Sequence, residues 1–318
     1  MLHIESSAPR FLRALALSVV SAVSAHAAVL PDADNVIRAK AGGSEIVITT
    51  TTRLAGAIHS LTWNGKEFID SLDHGRQLQS ASNLDVGTPI FAETYNPTEA
   101  GSQRDGAGPK SSSRLLHLIA TNNLLQTTTQ MAFWLAPGEK SGPNLAKNRA
   151  VLSNHLLTKR VRIGYRGLPH VIQYDVAFHL PVGEHHTHAV FEALTGYMPA
   201  EFSAFWKFNP QTGVLEPLTD GPGELNWPVV LATPDGSHAM GIFSPDQPAK
   251  DSAQLGYGRW RFRVEKVVKW NCVFRVTDSN GIASGEYAFR NFVLVGDLAT
   301  VRDSLRALQK MFALPEKP

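Results

Sequence analysis

Apolar and polar residues alternate with a period of two along much of this chain, the spacing of a strand that buries one face. From Val171 to Leu180, Ile172, Tyr174, Val176, Phe178 and Leu180 share one side, while Gln173, Asp175 and His179 share the other. Leu157 to Tyr165 repeats the pattern, with Val161, Ile163 and Tyr165 opposite Arg160 and Arg162, and Pro169 predicts a turn that joins the two runs in a long hairpin. Nearer the start, Ile46 to Thr52 and Gly56 to Trp63 have strand composition, and Asn64-Gly65 supplies a hairpin turn that returns through Lys66 to Asp70. Later strands are predicted over Trp227 to Thr233, His238 to Ser244, Gly258 to Trp270, Cys272 to Thr277 and Tyr287 to Val295. In the third of these, Arg259, Arg261 and Arg263 face away from Trp260, Phe262 and Val264. The period changes only at the end, where Asp297 predicts an N-cap and Val301, Leu305, Leu308 and Phe312 form one stripe of an amphipathic helix. The expectation is an all-β fold: one large antiparallel β-sandwich over residues 28–318 with a C-terminal helix.

Between Ala81 and Arg114 the alternation lapses, and Gly, Pro, Ser, Asn and Asp dominate. An irregular stretch of this length inside a compact domain is usually functional or disordered. Phe91 to Gly101 carries aromatic and acidic residues suited to a site, whereas Ser102 to Ser113 is small and polar and predicts a mobile surface loop. Immediately upstream, Asp73 to Ser80 gathers His74, Arg76 and Gln77.

Composition narrows the setting. Residues 1–27 have the form of a signal peptide: Arg10 and Arg13, then a short apolar run from Ala14 to Ala25, then Ala25-His26-Ala27 as a small-x-small cleavage site. The expected location is periplasmic or secreted, with no membrane span after cleavage because the run is too short to cross a bilayer. The single cysteine, Cys272, lies among Trp270, Val273 and Phe274 and predicts a buried, inert thiol. A net charge of +2 with both signs interspersed argues against nucleic acid as a partner. There is no phosphate-binding glycine loop and no GxSxG elbow.

With the strands laid out, Gly75-Arg76-Gln77-Leu78-Gln79-Ser80-Ala81, the loop Tyr95-Asn96-Pro97-Thr98-Glu99-Ala100-Gly101 and the late strand Ala239 to Pro245 resemble the galactose-mutarotase-like supersandwich superfamily. That resemblance implies a sheet facing a saccharide, the expected partner, and carbohydrate-active chemistry of the glycoside hydrolase, polysaccharide lyase or epimerase type. A non-catalytic glycan-binding or cell-envelope protein is the alternative. Aldose epimerases carry a histidine acid in an Asn-His-x-Tyr-Phe-Asn setting that this chain lacks. His186 and His188 are its nearest approximation, with Glu265 or Glu286 as a late acid.

The candidate catalytic residues are therefore Glu93, His74, Tyr95, Glu99, His186 and His188, and the candidate saccharide-binding residues are Arg76, Gln77, Asn96, Glu192, Tyr197 and Trp206. Two carboxyl groups suit glycosidic-bond hydrolysis, whereas Arg76 or Asn96 with a Tyr or His suits uronate lyase chemistry. Glu93 is the first choice of acid, raised by burial between Phe91 and Tyr95 or lowered by Arg76. Turn chemistry at Asn96 to Glu99, with Glu93 and Arg76 as a surface ion pair, accounts equally well for these residues. No cofactor is expected. A metal at His186 and His188, completed by Glu184 or Glu192, is the alternative, although the spacing matches no zinc signature.

Overall fold

The computed structural model describes residues 31–86, 89–247 and 255–313; the expected leader at 1–27 lies outside them. The alternation does build a sandwich. Long antiparallel strands form one sheet in the order Arg114–Thr121, Leu124–Phe133, Leu152–Tyr165, Leu168–Leu180, Gly285–Gly296, Ala239–Phe243, Val229–Ala232 and Ala204–Asn209. The facing sheet runs Asn35–Ala41, Ser44–Thr50, Ile58–Trp63, Leu78–Leu84, His188–Pro199, Val267–Thr277 and Tyr257–Phe262. A two-residue strand, Pro97–Thr98, joins them, pairing Thr98 with Ala81 on one side and with Ala132 on the other.

One continuous apolar core fills the space between the sheets, with Ile48, Leu78, Phe191 and Trp270 from one wall meeting Leu157, Val161, Tyr174 and Val293 from the other. Gly285–Gly296 is buried on both faces near its end. Val293 and Val295 enter the core, while Phe292 and Leu294 lie under the C-terminal helix Leu298–Ala313. That helix starts where expected, with the Thr300 amide donating to Asp297 Oδ1 at 2.7 Å, and it buries Val301, Leu305 and Leu308. Among the described residues no helix is long and apolar enough to cross a membrane.

Local chemistry departs from the sequence reading at three places. The hairpin of Leu152–Tyr165 and Leu168–Leu180 turns at Arg166 and Gly167, both at positive φ, and Pro169 is already in the returning strand. Gly258 to Trp270 is a hairpin rather than one strand: Tyr257–Phe262 turns through residues 263–266 into Val267–Thr277, leaving Val264 89% exposed at the tip. The irregular stretch is also more structured than its composition suggests. Leu78–Leu84 is a strand, and Asp105 ties the following loop together by accepting from the amides of Ser102 and Ser112 at 2.7 and 2.8 Å.

Candidate functional site

A cleft of about 230 Å³ lies on the outer face of the second sheet, walled by the segment after Leu84 and by Trp134. Its floor is made by alternate residues of three neighbouring strands. Gln79, Ala81 and Asn83 come from Leu78–Leu84, Glu192, Thr195 and Tyr197 from His188–Pro199, and Lys269 from Val267–Thr277.

Strict alternation would put Glu192 and Thr195 on opposite faces. A β-bulge prevents this: Glu192 pairs with Val273 and Leu194 with Cys272, so Ala193 is an extra residue without a partner of its own. Ala193 and Leu194 are both buried in the core, and Thr195 returns to the outer face, where its Oγ1 donates to Glu192 Oε2 at 2.7 Å. The register then carries Gly196 inward opposite Trp270 and Tyr197 outward opposite Lys269.

Glu192, Lys269 and Tyr197 form the charged centre. Lys269 Nζ lies 3.1 Å from Glu192 Oε2, flanked by the rings of Tyr197 and Trp260 at 5.1 and 5.0 Å. Burial opposes charge on Glu192, but Lys269 overcomes it with help from Thr195 and Asn271, and the carboxyl is held below the usual carboxylate range. For Lys269, burial is likewise outweighed by Glu192 and Tyr197, so its ammonium stays charged above the ordinary lysine value. Burial pushes the Tyr197 phenol up, partly offset by Lys269. The centre thus holds an ionised carboxylate, an ammonium and a protonated phenol side by side.

Over this floor, Asn96 Nδ2 donates to the Ser82 carbonyl at 2.5 Å. Glu93 stands exposed at the rim, its amide donating to Asn83 Oδ1 at 3.2 Å and its Oε2 accepting from Ser141 Oγ at 3.1 Å. Glu93 has φ 67°, a left-handed conformation that a non-glycine residue adopts only under local constraint. Trp134 closes the other side against Gly75, where an added Cβ would come within 2.7 Å of the indole.

Of the residues singled out from sequence, Glu93, Asn96, Glu192 and Tyr197 meet in this cleft. The others are placed elsewhere. His74 is fully buried, with Nδ1 2.6 Å from the Gly106 carbonyl and Nε2 2.8 Å from that of Arg53, a strut between loops. Glu99 is buried inside the sandwich against Lys159. Arg76 pairs with Asp73 at 3.1 Å and not with Glu93. Gln77 is fully buried with Nε2 on the Asp73 carbonyl. Trp206 is half-buried on the first sheet, beside the core under the helix. Glu265 and Glu286 are exposed and do not line the cleft. Trp134 and Lys269 do line it, although neither is among the candidate residues chosen from sequence. Cys272 is fully buried, and burial pushes its thiol well up, as befits an inert core residue.

The two histidines of His186-Thr187-His188 part company. His188 Nδ1 lies 2.8 Å from Thr277 Oγ1, whereas His186 turns inward to a second polar cluster. There Glu184 Oε2 lies 2.8 Å from His155 Nε2 and 2.9 Å from His186 Nε2. His186 Nδ1 faces the Asp85 carbonyl, and the Tyr95 ring packs beside both histidines, 6.2 Å from His155 and 5.7 Å from His186. Tyr95 therefore points away from the cleft, its ring 4.5 Å from that of Phe133. Burial, reinforced by Glu184, pushes the Tyr95 phenol up. Burial works against charge on Glu184, but hydrogen bonds from His155 and His186 hold its carboxyl far below the ordinary range.

No protein-family model and no curated protein matches the chain. Solved structures to which it is similar include an α-galactosidase from Lactobacillus brevis, 8% identical over 92% of this chain and 44% of that one at TM-score 0.45. An α-mannosidase from Enterococcus faecalis is 11% identical over 87% of this chain and 31% of its own at TM-score 0.46. A protein from Synechocystis is 11% identical over 86% of this chain and 99% of its own at TM-score 0.43. The chain spans less than half the length of the α-galactosidases it resembles.

Proposed function

We propose that this is an exported carbohydrate-active protein that takes a saccharide in the cleft over Glu192, Lys269 and Tyr197. The observation that carries the reading is the convergence in one place of Trp134 and Tyr197, the amides Gln79, Asn83 and Asn96, and a fixed carboxylate-ammonium pair. Aromatic faces accept the apolar faces of sugar rings, and amides and carboxylates accept and donate to hydroxyls. The volume is below the roughly 300–1,000 Å³ of clefts that enclose drug-sized ligands, which suits one ring or a short stretch of a chain. Glu93 and Glu192 outnumber Lys269, so the cleft favours a neutral or amino sugar over a uronate. The leader-like residues 1–27 support a periplasmic or secreted location.

The test is calorimetric titration of the purified chain with neutral, amino and uronic-acid oligosaccharides. Saturable binding that Trp134→Ala weakens supports the reading, and absence of binding across the panel sinks it. Catalysis is a second reading, favoured by the place of Glu192 and Tyr197 in one cleft; against it, a carboxyl held low is a weak base and a phenol pushed up a weak acid, so binding is the first reading. Product analysis on the same panel separates the chemistries. Unsaturated ends mean a lyase, new saturated reducing ends a hydrolase, an altered epimer an epimerase, and binding without turnover a glycan-binding protein.

A further inference from the structure

We infer that His155, Glu184 and His186 form a binding site for a divalent transition-metal ion of the zinc type, separate from the cleft. Their ligand atoms all lie within 4.8 Å of one another, and the two imidazole Nε2 atoms approach the same carboxylate oxygen. Zinc binds histidine nitrogen at about 2.0–2.1 Å and carboxylate oxygen at about 2.0–2.2 Å, so small rotations of these side chains make room for an ion between them.

The surroundings are those of a metal site. A ligating histidine usually gives its other nitrogen to a carbonyl or carboxylate. His186 Nδ1 faces the Asp85 carbonyl, which directs Nε2 toward the cluster, and the Tyr95 ring packs against both histidines beside Glu184. Phe133 and Tyr95 enclose it on one side, with the Phe133 ring 6.3 Å from that of His155. His155 and His186 are each 2% exposed while Glu184 is 23% exposed, which leaves an entry path along the carboxylate. Two imidazoles and one carboxylate suit zinc and its neighbours, whereas calcium and magnesium prefer shells of oxygen.

The ligands also come from parts of the chain that need fastening. His155 belongs to the first sheet, Glu184 and His186 to the connection that crosses to the second, and Tyr95 to the segment that carries Glu93 and Asn96 into the cleft. An ion here clamps the two sheets and holds that segment from behind.

The experiment uses the whole chain, stripped of metal by chelation, refilled with zinc and followed by calorimetry, with cobalt as an optical probe. The expected result is one equivalent of zinc per chain, a higher melting temperature, and the visible absorption of low-symmetry cobalt. Glu184→Gln should lose zinc affinity by at least about a hundredfold. Circular dichroism checks the fold of each variant; because Glu184 is partly exposed, its glutamine variant carries the test even if a substitution at His155 or His186 unfolds the chain. No stoichiometric uptake by the folded wild type, equal uptake by Glu184→Gln, or uptake of calcium or magnesium alone overturns the proposal. The result is independent of saccharide binding.

Discussion

The carboxylate of Glu99 and the ammonium of Lys159 meet inside the sandwich with neither side chain exposed to solvent. They link the segment after the Pro97–Thr98 bridge to the first sheet. Ser80 donates its amide to Glu99 Oε2 at 3.2 Å, and Lys159 donates to the Gly56 carbonyl at 3.1 Å. Removing one partner strands the other charge, so Glu99→Leu or Lys159→Met alone should cost about 3–5 kcal/mol in urea denaturation. The double variant should recover most of that loss. Equal losses in single and double variants would show that the pair contributes shape and not charge.

Trp134 stands at the cleft wall and not in the core, so truncating it should separate binding from folding. Trp134→Ala is expected to weaken saccharide binding by about tenfold while the melting temperature moves little. A large drop in melting temperature with unchanged affinity would return Trp134 to a structural role.

Protonation gives the Glu192–Lys269 pair a defined working range. Glu192 is depressed from 4.5, so its stabilising contribution is complete above that value and is lost as pH falls through the folded-state value. Lys269 is raised from 10.5, so its contribution is complete below that value and is lost as pH rises through the folded one. Melting temperatures measured across pH should therefore carry an acid limb that Glu192→Gln removes. An unchanged acid limb in that variant would assign it to other carboxylates.

Close packing under the cleft makes a further test. A Cβ on Gly196 would lie 2.5 Å from the indole of Trp270, which is fully buried. Gly196→Ala should destabilise by about 1–3 kcal/mol through this overpacking, read as a lower urea midpoint at constant slope. Gly65→Ala offers a contrast: nothing lies within 4 Å of its Cβ, and only its positive φ of 75° resists the change.

The sandwich and its helix were legible because each depends on a local period. Val171 to Leu180 buries the side that its alternation marks, and Asn64 and Gly65 turn at φ 49° and 75° as the dipeptide predicts. The site was less legible because it depends on where periods break. Lys269 went unseen because residues 263–266 turn without Gly, Pro or Asn, so two strands read as one. Once that turn is placed, Val268, Trp270 and Cys272 point inward and Lys269 outward. Lys159 was visible in principle, since it shares parity with Leu157, Val161 and Ile163 on the inward face. Polar residues in irregular sequence, by contrast, gave no sign of which way they face. His74 and Glu99 turned inward, and neighbouring Tyr95 and Asn96 took opposite sides.

The strand His188–Pro199 has something like a reading frame, with one extra residue at Ala193. Ala193 and Leu194 both face inward, and alternation resumes at Thr195, so the insertion is absorbed inside the core. Deleting Ala193 would leave Glu192, Leu194 and Thr195 to alternate regularly and would keep Thr195 and Tyr197 on the cleft face, at the cost of a bend and some core volume. Deleting Gly196 has no insertion to absorb it and would turn Tyr197 toward the core and Met198 toward solvent, erasing part of the cleft floor. In this strand, where a residue is lost matters more than which residue it is.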